Sequence, residues 1–229
     1  MADFNDIGIP RQLDWPRVRK LLTIGVFGAL LHLAGDLILG WGVEDESLTG
    51  LFRMLSAYTA TSDGGILASA LLGLPGMTLE GLSFFGVYRL MAERSPKDAH
   101  RYRSGILGYL IFGACGFHVP TCVLVFLGKQ GLPEETLAKF ALYFLLPATA
   151  LFWVFFLLLA VTQIAAFAKG YTPYPGWCWV FSPLVGGLAA QALGFLGNLP
   201  ALNAIACAWL AIGCLWMFGG LLCLCGKAR

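Results

Sequence analysis

Six apolar stretches, at roughly residues 21–42, 64–91, 104–128, 137–166, 179–197 and 201–225, constrain this chain more than any other feature. A helix that crosses a bilayer needs ~20 mostly apolar residues at a rise of ~1.5 Å each. Inside lipid every backbone N–H and C=O must be satisfied within the protein, which leaves helices or closed barrels. The stretches therefore predict an all-α fold, a polytopic membrane helical bundle with six transmembrane helices. Composition agrees: 58% of the 229 residues are hydrophobic and only 12% are charged. A soluble domain carries about 25% charged residues, and one of this size could not hide such an apolar surplus. The 29 glycines suit a bundle in which helix backbones approach closely.

Lysine and arginine set the orientation. Arg11, Arg17, Arg19 and Lys20 precede the first span, and Arg89, Arg94, Lys97, Arg101 and Arg103 follow the second. Lys169, Lys227 and Arg229 fall on that same side if six spans alternate. The opposite side holds Arg53, Lys129 and Lys139 among Glu44, Asp45, Glu46, Asp63, Glu134 and Glu135. Both termini are thus predicted to be cytoplasmic. Residues 1–20 form a cytoplasmic segment too polar for a signal peptide, and 21–229 form one six-helix domain whose first span acts as an uncleaved anchor. The net charge of +2 gives no reason to expect a nucleic-acid partner.

Finer expectations follow from single residues. The second and fourth spans are long, which predicts tilt, and Leu74-Pro75-Gly76 predicts a kink or break. Residues 47–60 read as a short helix on the outer surface with Ser47 as its N-cap. Trp41, Trp177 and Trp179 sit where indoles favour the interface. The seven cysteines show no disulfide spacing and read as buried thiols.

Ionisable groups inside a span cost ~2.5–3.5 kcal/mol or more, so their presence needs a reason. His32 and Asp36 lie four apart in the first span, on a helical face shared with Gly25, Gly28 and Ala29. Glu80 in the second span and His118 in the third come to similar depths by counting at ~1.5 Å per residue. Gln191 and Asn198, on a face with Gly187 and Gly194, are candidates to complete a lining. Ser83, Thr121 and Trp153 are further candidates for substrate contact, and Tyr109 is a candidate further partner of the cluster. Three readings stay open. Glu80 and His32 can form an acid–base pair with Asp36 and His118 beside it. The same four residues can hold a divalent metal, for which Cys115 and Cys122 flank His118 at helical spacing. Or the group can be structural, its members satisfying one another.

The run Leu33-Ala34-Gly35-Asp36-Leu37-Ile38-Leu39-Gly40 resembles a group of uncharacterised bacterial multi-span proteins with a Gly-Asp pair near the end of the first helix. Gly170-Tyr171-Thr172-Pro173-Tyr174-Pro175-Gly176-Trp177, Phe181-Ser182-Pro183 and a histidine in the third span, here His118, are similar to that group as well. The resemblance implies a shared bacterial membrane fold and no known activity. Membrane isomerases of the emopamil-binding type look similar in site chemistry alone, and no motif carries their residues over.

The resulting expectation is a multi-pass protein of the bacterial inner membrane that uses an intramembrane acid–base cluster on a lipophilic substrate, as an isomerase or hydrolase. A small proton-coupled transporter and a structural or accessory membrane subunit are the alternatives. Membrane lipid or a hydrophobic small molecule is the expected partner, and an oligomer is compatible with the sequence. No cofactor motif identifies a bound group beyond the divalent-metal reading.

Overall fold

The computed structural model describes residues 13–226; Arg11, Lys227 and Arg229 of the topology argument lie outside the described residues. Every described element is helical. α1 spans Trp15–Leu39, α2 Gly50–Tyr58 and α3 Asp63–Ala92. The third long rod runs through α4 (Pro96–Phe112), a π-helical turn at Ala114–His118 and α5 (Val119–Lys129). The fourth joins α6 (Glu134–Phe140), a second π-turn at Ala141–Leu145 and α7 (Leu146–Ala168). A 3-10 turn at Gly176–Val180 precedes α8 (Pro183–Gly194), α9 (Pro200–Cys207) and α10 (Trp209–Leu224).

Four of these rods are long and apolar enough to cross a membrane, and α9–α10 makes a fifth if the pair counts as one span. That pair bends by 64°. α8, of 12 residues, is about 18 Å long, shorter than the ~30 Å hydrocarbon core. The surface of the bundle is apolar in the way lipid requires: Leu67, Leu71, Ile111, Phe144 and Val154 all point outward, each about 60% exposed or more. Large apolar side chains facing out at this density mark a surface that water does not solvate.

Glycine sets the tightest packing. A Cβ on Gly28 would stand 2.8–3.0 Å from Leu79 Cβ, Gly76 O and Glu80 N, and one on Gly76 would meet His32 N at 2.6 Å. Gly35 presses on Ser69 O and Gly73, and Gly86 lies by Leu21 and Val18. As numbers rise along α1 they fall along α3, so the two helices are antiparallel and in backbone contact. Gly25 on α1 accommodates Phe218 of α10, and Gly105 on α4 accommodates Leu159 of α7. These contacts place Arg17, Arg89, Arg94 and Lys97 at one end of the bundle and Glu44, Asp63 and Glu134 at the other, here named the basic and acidic ends.

Two local expectations are corrected. α3 continues through Pro75 as one helix of 30 residues rather than breaking there. Its neighbour α1, packed along its full length, holds the rod together. α2 begins at Gly50 with Thr49 as its N-cap. Ser47 instead closes a turn with its N–H and O–H, both donating to Asp45 Oδ1 at 2.9 and 2.6 Å. Those bonds hold the Asp45 carboxyl below the usual carboxylate range.

Candidate functional site

His32 and Asp36 stand one turn apart on α1 with the ring bonded along the helix, Nε2 lying 3.1 Å from Asp36 Oδ2. The other ring nitrogen, Nδ1, faces both carboxylate oxygens of Glu80 on α3 at 3.2 Å. Tyr109 of α4 donates its hydroxyl to Glu80 Oε2. On the far side of Asp36, Oδ1 lies 3.3 Å from His118 Nδ1. His118 Nε2 donates to the Ser69 carbonyl at 3.0 Å, with Cys122 Sγ at 3.9 Å. The two imidazoles meet edge to face, their centroids 5.5 Å apart. The order is therefore Tyr109, Glu80, His32, Asp36, His118, Ser69, drawn from three long rods and buried throughout.

Sequence explains why the row can form. Ser69, Gly73, Gly76 and Glu80 line one face of α3, and the small residues let α1 and the His118 turn come within bonding reach. A Cβ on Gly73 would collide with the His118 ring. The π-turn at Ala114–His118 inserts an extra residue into the rod, which re-aims His118 inward, a common use of such turns.

Electrostatics follow from counting hydrogens. Carbonyl and carboxylate oxygens only accept, so the His118 Nε2 hydrogen goes to Ser69 and the Tyr109 hydrogen to Glu80. The links His118–Asp36, Asp36–His32 and His32–Glu80 then need one proton each. With all three filled, two imidazoles and two carboxylates carry no net charge, whichever partner holds each proton. A neutral row avoids the cost of an isolated buried charge.

His32, Asp36 and His118 could also hold a metal ion. One ligand atom from each lies within 4.8 Å of the other two. His32 Nε2 stands 3.1 Å from Asp36 Oδ2 and His118 Nδ1 3.3 Å from Asp36 Oδ1, so the two imidazoles flank the carboxylate, one at each oxygen. Metal-ligating histidines characteristically donate their other ring N–H to a carboxylate or a backbone carbonyl. His32 has Glu80 for this purpose and His118 has Ser69 O. The donor set fits a divalent transition ion.

The other sequence candidates stand apart from this row. Gln191 donates to Ala206 O at 2.9 Å, and its companions Gly187 and Gly194 pack against Trp209 and Ala206. That face of α8 is a helix contact rather than a lining. Asn198 clamps the acidic-end loops, donating to Glu44 O at 2.8 Å and accepting from Glu44 N–H at 2.9 Å. Trp153 stacks on Trp209 at 5.1 Å, and Thr121 donates to Phe117 O. Ser83 is buried, its Oγ without a partner among the described residues. The Ser69 carbonyl was beyond sequence reading, although the Ser69–Gly73–Gly76–Glu80 stripe is a legible trace of the groove.

No curated protein and no solved structure matches the chain. Residues 4–228 match a family of unknown function, DUF6796. The chain, with its buried His–Asp–His group between apolar helices, belongs to that family.

Proposed function

We propose that this protein is an integral membrane metalloenzyme of the hydrolase type, acting on a lipophilic substrate, with a divalent transition ion held by His32, Asp36 and His118. One observation carries the reading. Each histidine turns one nitrogen toward Asp36 and has the opposite nitrogen tied, to Glu80 in one case and to Ser69 O in the other. Three protein ligands leave a coordination position open, the pattern of catalytic rather than structural zinc. A divalent ion there supplies Lewis acidity and an activated water. Glu80 fixes the tautomer of His32, the Ser69 carbonyl fixes that of His118, and the surrounding apolar side chains keep bulk water away.

The proposal includes six membrane crossings in a bacterial inner membrane, with the basic end cytoplasmic. Support comes from the alternating helix directions and from Asn198 and Asn203, which bond Glu44 and Gly42 at the acidic end. The test is hydrolysis of ester- and amide-bearing lipids by protein in detergent. The expected result is activity abolished by a chelator, restored by Zn²⁺ and absent in Asp36→Asn. Hydrolysis that survives chelation would contradict it.

A second reading has an observation of its own. The unbroken row from Tyr109 to Ser69 is also the form of a proton relay, as in a small proton-coupled transporter. Substrate uptake driven by a pH gradient in sealed vesicles, with no metal bound, would favour it.

A further inference from the structure

Tyr109 is joined to the proposed metal ligands through two links, and neither link belongs to the ion's own coordination. Its hydroxyl reaches Glu80 Oε2, and both Glu80 oxygens face His32 Nδ1 at 3.2 Å. His32 then presents Nε2 toward Asp36. All three side chains are buried, and each is on a different helix. Tyr109 is also anchored independently of the row. Its ring packs edge-on against Phe84 at 5.2 Å and tilted against Phe152 at 5.8 Å. Cys214 Sγ lies 3.9 Å from its oxygen.

A carboxylate with two equivalent oxygens on one N–H donor can swing about its own axis. A second donor on one oxygen removes that freedom, and the aromatic packing fixes where this donor stands. The same hydroxyl gives Oε2 a donor of its own, so that the single His32 Nδ1–H need not serve both oxygens in a dry interior. We infer that Tyr109 is a positioning residue for the metal centre, holding Glu80 so that Glu80 holds the His32 ring. The inference rests on the metal reading above and deepens it. It sets the edge of the functional unit at the aromatic core and not at the three ligands.

The test is Co²⁺ titration followed by the ion's visible absorption, in purified full-length protein and three variants. Glu80→Gln should weaken binding about 10–100-fold, the usual effect of losing an outer-shell partner. Tyr109→Phe keeps the ring and its packing, and should weaken binding about 3–10-fold with an altered Co²⁺ band. The double variant should match Glu80→Gln alone, because Tyr109 acts only through Glu80. Binding by Tyr109→Phe equal to that of the unaltered protein would overturn the inference. So would a double variant whose loss is the product of the two single losses. Unaltered protein that takes up no Co²⁺ would overturn the metal reading itself, a different result. Nitrogen NMR of the imidazoles in metal-free protein gives a second readout. The His32 Nδ1 signal should move in Tyr109→Phe while that of His118 stays, and an unmoved His32 signal counts against the inference.

Discussion

The two halves of the bundle are built differently. Toward the basic end a continuous core of large side chains fills the space between rods: Phe84, Tyr102, Phe152, Phe156 and Phe218 are at 0% exposure, with Phe84 and Phe218 5.2 Å apart. Toward the acidic end the core is smaller and aliphatic, made of Leu39, Leu55, Ile66, Leu124, Val125 and Leu137. Leu55 and Leu137 there keep 8% and 7% exposure. A cavity of about 470 Å³ opens between α2, α5 and α6, with Glu44, Asp45 and Glu134 on its wall. The polar row lies at the seam. Tyr109 and Glu80 are embedded on the aromatic side, and His118 and Asp36 border the looser side, where Val125, one turn beyond Cys122, lines the cavity. Packed aromatic side chains meet the row from one half, and the cavity lies in the other.

The largest effect should come from the aromatic half. Phe84→Ala is expected to cost about 3–5 kcal/mol and Leu137→Ala about 2 kcal/mol, measured by unfolding in detergent. Equal costs would dissolve the distinction between the halves. The next effect concerns the seam: Asp36→Ala should remove more than about 99% of metal affinity, since it deletes one of the three proposed ligands, the one that both imidazoles face. Its fold should survive, as shown by an unchanged elution profile.

pH sharpens the comparison further. Metal competes with protons for the two ring nitrogens facing Asp36, so affinity should fall as pH falls. Titration at a series of pH values checks the sign, and affinity that rises on acidification would contradict it. The smallest effect belongs to the acidic surface. The Arg53–Glu44 pair, 2.8 Å apart and partly exposed, should contribute less than about 1 kcal/mol, so Arg53→Ala ought to leave stability nearly unchanged.

Much of the fold is written in hydropathy because lipid imposes one length on every crossing. α1, α3 and the rods 96–129 and 134–168 fall where apolar runs predict them. The glycine face beside His32 and Asp36 is also legible, since only small residues permit the α1–α3 contact. α8 and the bend at Ala208 escape such reading, because hydropathy sums along a stretch and is blind to where the helix stops within it. The π-turn before His118 depends on which carbonyl each N–H selects, and side-chain type leaves that choice open. Gln191 lies apart from the polar row, donating to Ala206 O. Its face has the small residues of a lining, but small residues equally serve a helix contact, and here they meet Trp209 and Ala206. The bonds of Tyr109 and Ser69 come from the packing order of the rods, which no single span encodes.

The central claim is that His32, Asp36 and His118 bind a divalent metal. Elemental analysis of protein purified in detergent from metal-replete cells, beside Asp36→Ala prepared identically, tests it most directly. The account expects about one divalent transition ion per chain in the unaltered protein and almost none in the variant. Equal metal content in the two, or none in either even after Zn²⁺ or Co²⁺ is supplied, would contradict it.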